Sequence, residues 1–181
     1  FLTWFPSYLT MAKHLSIKDM SIVTVLPWII GCIGQVVGGT IGDYLYKRTG
    51  NGILARKIMI VGNMIIAAVM VVLAGVVETA MSAVIVMSVG IWFFYLAGAS
   101  YWAIMQDIAP RENVGGVSGF IHGIANVAGV VSPAVTGFIV HATGVFTGAF
   151  ALAGGIAIVA AIMVGILVKP AKPAEKEIAA E

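Results

Sequence analysis

Charge is what this chain most lacks. Asp, Glu, Lys and Arg make up 10% of its 181 residues, hydrophobic residues make up 60%, and the mean hydropathy is +1.04. Soluble domains carry roughly a quarter charged residues, and a soluble core of this size cannot hide so much apolar surface. The solvent is therefore lipid. Cysteine is nearly missing too. Cys32 has no second cysteine to pair with, so an intrachain disulfide is excluded and the redox compartment stays open; it reads as a small packing residue. His14, His122 and His141 fall in different segments without metal-ligand spacing. No Ser/His/Asp set is evident and no carboxylate pair lies deep in an apolar run. Neither enzymatic chemistry, a metal nor a cofactor is expected. The few basic residues flank apolar runs, which excludes nucleic-acid binding.

What is present is a series of apolar runs. The first residue is Phe1, with no charged n-region or cleavage site after it, so no signal peptide is expected. Residues 1–12 are too short to span a bilayer, since a helix needs roughly 20 residues, and the expectation is a chain that begins inside a membrane helix. Five full spans follow at about 20–41, 58–77, 81–109, 114–140 and 146–168. Charged loops are expected at 13–19 and 42–57, with tight turns at Glu78, at 110–113 and at 141–144. Ser16 with Asp19 three residues on reads as a capping box opening the first full span, and Pro110 closes the third.

Lys and Arg orient these spans. Lys47, Arg48, Arg56, Lys57, Arg111, Lys169, Lys172 and Lys176 fall on one side; only Lys13 and Lys18 fall on the other. That bias puts the 42–57 loop, the Arg111 turn and the C-terminus in the cytoplasm. Residues 169–181, with prolines and mixed charge, read as a disordered tail.

Glycine distinguishes the spans. Gly34, Gly38 and Gly42 stand four apart, as do Gly115, Gly119 and Gly123. Small residues at this spacing form a flat stripe that lets another helix approach closely. The spans at 58–77, where Asn63 is the one polar side chain of note, and at 148–168 are apolar all round and are expected to face lipid. Taken in threes, the helices read as a first, a glycine-striped second and an all-apolar third, twice over. Three is odd, so the second triplet is inverted in the membrane. A fainter echo sets Gly39-x-x-x-Asp43 with Thr49-Gly50 against Gly137-x-x-x-His141 with Thr143-Gly144. The fold expected is an all-α membrane protein built as a 3+3 inverted repeat.

Three stretches then carry a family likeness. Gly39-Thr-Ile-Gly-Asp43-Tyr-Leu-Tyr-Lys47-Arg48-Thr-Gly50 resembles the loop signature G-x-x-x-D-x-x-x-(K/R)-x-G of the major facilitator superfamily. The opening FLTWFPSYL and the stretch YWAIMQDIAPRENVGGVSGFIHGIANVAGVVSPAVTGFIV are similar to its anion:cation symporter branch, whose members carry sugar acids, other organic acids or phosphate. The likeness covers essentially the whole chain, as helices seven to twelve of a twelve-helix protein. It implies alternating-access uptake of a small organic anion, commonly with a proton. The implied partners are that anion, the proton, the bilayer and the N-terminal half of the same transporter. It also implies a bacterial inner-membrane location, and an essential arginine and titrating carboxylate in the other half. Many members carry G-x-x-N-x-x-G-N-x-G-G-x-x-x-P in the eleventh helix. Here Gly119 to Pro133 puts His122 at the first Asn, Ala125 at the Gly, Asn126 at the second Asn, and Ala128 at the first paired Gly.

The candidate residues follow. His122 and Asn126 share one helix face, and polar groups at that depth face either a helix partner or a water-filled cavity. An imidazole in place of an amide alters ligand contacts and adds pH sensitivity. Tyr101 and Trp102 lie about 10 Å from the cytoplasmic end of their helix at 1.5 Å per residue. That depth suits an aromatic belt; the resemblance implies substrate contact instead. Gln35 reads equally as polar glue or cavity lining, and Gln106 and Asp107 as interfacial caps or pairs. For Gly39, Asp43, Lys47 and Arg48 the resemblance implies a cytoplasmic gate, with Asp43 as the latch; the plainer reading is a solvated loop. Two rivals share the fold: a transporter-like sensor, and a facilitator of neutral or cationic solutes.

Overall fold

The computed structural model describes residues 3–169. The tail expected to be disordered lies outside these, apart from Lys169. Seven α-helices and one 3-10 turn occupy the described residues: α1 (Phe5–Met11), α2 (Ile17–Val23), α3 (Val25–Thr49), α4 (Gly52–Ala74), α5 (Ala80–Ile108), the turn Arg111–Asn113, α6 (Val114–Thr143) and α7 (Thr147–Leu167). Among the described residues, five stretches are long and apolar enough to cross a membrane, with α2 and α3 together making the first of them.

Local chemistry sets the ends. Ser16 caps α2 by accepting from the Asp19 N–H at 3.1 Å, while its own hydroxyl donates to the Asp19 carboxylate at 2.7 Å. The α2–α3 break at Thr24 precedes Pro27, which has no N–H to offer the carbonyl four residues back. The stretch 42–57 is corrected from a loop to helix on both sides of a two-residue turn. Gly50 ends α3 in the left-handed region (φ 64°), and the Asn51 side chain accepts from the Leu54 N–H at 3.1 Å to start α4. Two good caps make a longer connection unnecessary.

The weak Thr-Gly echo is structural. Thr49 Oγ1 donates to Leu45 O at 2.8 Å and to Asn51 O at 3.2 Å; Thr143 Oγ1 donates to Ile139 O at 2.7 Å and to Val145 O at 3.1 Å. Gly50 and Gly144 both follow with φ of 64° and 75°. The second long helix of each triplet thus ends on the same cap.

Packing explains the first glycine stripe. A Cβ on Gly34 would lie 3.0 Å from Trp92 O, one on Gly38 2.5 Å from Leu96 O, and one on Gly42 3.4 Å from Ser100 Oγ. The partners advance along α5 as the glycines advance along α3, so the two helices run parallel, in near backbone contact. The second stripe behaves differently: nothing lies within 4 Å of a Cβ on Gly115, Gly119 or Gly123. It lies on a side of α6 that no described helix reaches, and Thr136 is the one buried residue of α6.

Nor is α4 a lipid-facing helix all round. Met59, Ile60, Ala67, Ala68, Val71 and Ala74 are buried, and α4 packs against both α5 and α7. Its small residues permit this: Gly154 of α7 sits against Val72 and 3.0 Å (from its would-be Cβ) from Ala68 O. At one end of the bundle, Trp4, Tyr8, Phe146 and Phe150 form an aromatic cluster. Trp4 and Tyr8 each stand edge-on to Phe150 at 4.8 Å between centroids. The Tyr8 hydroxyl donates to Ala74 O at 3.1 Å, and Lys13 Nζ donates to Val77 O and Glu78 O at 2.6 and 2.8 Å. Ala74 O is a carbonyl at the C-terminal end of α4 that helix geometry leaves free, and Val77 and Glu78 follow in the α4–α5 connection, so these bonds anchor the short α1 and the residues just after it.

Candidate functional site

Late in α5 and early in α6, the candidate residues meet. Tyr101 and Trp102 stand edge to face with centroids 5.5 Å apart. Across the α5–α6 seam, the Trp102 and His122 rings are 4.9 Å apart and tilted by 50°. Tyr101 is half-buried; Trp102, His122 and Asn126 are exposed. Asn126 Nδ2 donates to His122 O at 2.8 Å. Asn126 therefore bonds its own helix, not a neighbour, and its Oδ1 has no partner among the described residues.

The four residues form an open surface of one kind. Indole and phenol rings supply faces for a sugar ring or an alkyl chain. The imidazole and the Asn126 Oδ1 supply donor and acceptor positions within one helical turn. No Asp, Glu, Lys or Arg belongs to the group, so its contribution is directional contact. A cleft of about 390 Å³ between α1 and α6 is lined by Trp4, Ser7, Pro133, Thr136 and His141, and none of the four candidates lines it.

The gate residues fall on α3. Gly39, Asp43 and Lys47 are four apart and so share a stripe beside the glycine seam. Nothing lies within 4 Å of a Cβ on Gly39, and Asp43 and Lys47 are exposed. Asp43 makes no hydrogen bond or ion pair among the described residues. Arg48 is held locally, its guanidinium 5.6 Å from the Tyr44 ring centroid. The ion pair at this end joins other residues: Arg56 Nε to Asp107 Oδ2 at 2.5 Å, tying the start of α4 to the end of α5. Asp107 was legible as an interfacial pairing residue, but its partner was not, because the two stand 51 positions apart.

Two contacts were not foreseen. Trp4 Nε1 donates to Ser132 Oγ at 3.2 Å, pinning α6 near Pro133 to the start of the chain. Gln35, left between two readings, sits on Gly98 with its amide oxygen buried and unbonded. No pattern along one helix signals either contact.

Comparison with known proteins gives this surface a context. The family model described as Major Facilitator Superfamily matches residues 1–130 and 103–181. A hexuronate transporter of Bacillus subtilis is 49% identical over 181 residues, covering 98% of this chain and 43% of that protein. A probable galactarate/D-glucarate transporter of the same organism is 37% identical over 172 residues, 95% of this chain and 37% of that protein. A probable sulfoacetate transporter of Cupriavidus necator is 35% identical over 182 residues, 97% of this chain and 41% of that protein. The chain thus spans about two fifths of the length of these relatives.

Proposed function

The chain belongs to the Major Facilitator Superfamily, a family of transporters and not enzymes, and from that premise we propose that it forms part of a secondary transporter for sugar acids. The observation that carries the reading is the Trp102–His122 contact with Asn126 one turn further on. An aromatic face beside hydrogen-bonding groups suits a ring or chain bearing hydroxyls. The relatives named for hexuronate and for galactarate/D-glucarate support an anion of this class. Tyr101, Trp102, His122 and Asn126 contact the hydroxylated part of the substrate. Its carboxylate is met by groups in the length of protein that the relatives have beyond this match.

The mechanism is alternating access, with the substrate site exposed to one side of the membrane at a time. Uptake is coupled to protons, and the gate stripe Gly39-Asp43-Lys47, flanked by Arg48, closes the cytoplasmic side through Asp43. An anion at the end of α3 can meet the positive N-terminus of a facing helix. The Lys and Arg bias supports a cytoplasmic side for the Gly50–Asn51 turn and the Arg111 turn, with the helices crossing a bacterial inner membrane.

Uptake of labelled hexuronate into vesicles carrying the full-length gene product tests the reading. Accumulation is expected, driven by an inward proton gradient and abolished by a protonophore. Specific binding without uptake would favour a sensor; uptake of neutral or cationic solutes in preference to hexuronate would favour the facilitator.

A further inference from the structure

We infer that Gln35 reads substrate hydroxyls, so that it selects polyhydroxylated acids over acids of the same shape without hydroxyls. The inference rests on the sugar-acid reading above and deepens it by adding a residue from a third helix.

Gln35 lies on α3, one position beyond Gly34 and hence on the edge of the α3–α5 seam. Its amide reaches across that edge to α5, where its Oε1 lies 2.6 Å from where a Cβ on Gly98 would be. No side chain but hydrogen fits at position 98 while Gln35 holds this pose. Gly98 and Trp102 are four apart, so they share a face of α5 and are separated by about 6 Å along the axis, at 1.5 Å per residue. Gln35 therefore sits one turn from the indole that touches His122. Three helices then contribute to one strip: Gln35 from α3, Trp102 from α5, His122 from α6.

The chemistry of the amide decides what it reads. Oε1 is buried and has no hydrogen-bond partner, the one such side-chain atom among the described residues. A glutamine serving only to join helices would bond a neighbouring helix, and Gln35 bonds none of the described residues. An unpartnered buried acceptor is costly, more so in lipid, where water does not replace the lost bond. A donor from outside the described residues would relieve it. A carboxylate has only acceptors to offer. A hydroxyl has a proton to donate, so of the groups a sugar acid carries, an alcohol is the one that suits Gln35. Sites built to hydrogen-bond a hydroxyl discriminate against analogues without it because their own polar groups are left unpaired.

The test uses the full-length gene product in membrane vesicles and two ligands of one shape. One is a labelled hexuronate, for which KM is measured. The other is cyclohexanecarboxylate, a six-membered ring carboxylate without hydroxyls, for which the inhibition constant is measured. Gln35→Met, close in volume but with no amide, is expected to raise KM for hexuronate about tenfold, the scale of one net hydrogen bond, and to leave the inhibition constant for the analogue within about twofold. Gln35→Ala should repeat this selectivity change. Gly98→Ala should displace the amide and weaken hexuronate similarly, with little further loss when added to Gln35→Ala. Equal weakening of both ligands would make Gln35 a packing residue and overturn the inference, as would an unchanged KM. A wild-type protein that carries no hexuronate would instead bring down the sugar-acid reading itself, before any variant is compared.

Discussion

The rings of Trp102 and His122, 4.9 Å apart, are the point at which α5 and α6 bring candidate substrate groups together. The two residues are 20 positions apart in sequence and belong to helices joined by the tight Arg111–Asn113 turn. Because both are exposed, their contact leaves surface free for a ligand.

That contact predicts coupling. Trp102→Ala and His122→Ala should each raise KM for hexuronate by roughly tenfold, about 1.4 kcal/mol of binding. The double variant should fall short of the sum by about 1 kcal/mol, the scale of a ring–ring contact beyond area burial. Uptake kinetics on protein matched for membrane level check this; strictly additive losses would separate the two residues into independent roles.

Asp43 predicts a kinetic defect without a folding one. It is exposed and unpaired among the described residues, so its carboxylate stabilises no contact there. Asp43→Asn should slow hexuronate uptake roughly tenfold or more, about 1.4 kcal/mol or more on the slow step, and leave membrane level and substrate affinity near wild type. Wild-type turnover in the variant would show that the carboxylate closes nothing.

How far the sequence discloses all this depends on the range of each interaction. The spans, their number and the Ser16 cap were legible because hydropathy and capping are written in neighbouring residues. The 42–57 segment misled, since its charges look like a loop while Gly50 and Asn51 close the turn in two positions. The two glycine stripes look alike in sequence, yet Gly34, Gly38 and Gly42 meet α5 whereas Gly115, Gly119 and Gly123 meet none of the described helices. Spacing shows that a helix can be approached, not which helix approaches. For the same reason Tyr101, Trp102, His122 and Asn126 were each legible as polar or aromatic groups at depth. Their meeting, the Arg56–Asp107 pair and the Gln35–Gly98 contact needed the helices in place.

The neighbours Gly38 and Gly39 offer the sharpest contrast. They differ by one position and therefore by about a third of a helical turn, which is enough to place Gly38 against Leu96 and Gly39 in open space. A Cβ at 38 would lie 2.5 Å from Leu96 O and 2.8 Å from Leu96 Cα. Both atoms are backbone, so neither moves without shifting α5. Overpacking of this kind costs about 1–3 kcal/mol. Gly38→Ala should accordingly lower the thermal stability of the detergent-solubilised protein and push α3 from α5, whereas Gly39→Ala, with nothing within 4 Å of the added carbon, should leave it unchanged. Since Gly39 belongs to the gate stripe, Gly39→Ala is expected to affect uptake if it affects anything. The two variants therefore separate the α3–α5 seam from the gate: loss of stability at 38 with wild-type stability at 39. Equal destabilisation by both would mean that the close approach of α3 to α5 is not what the stripe provides.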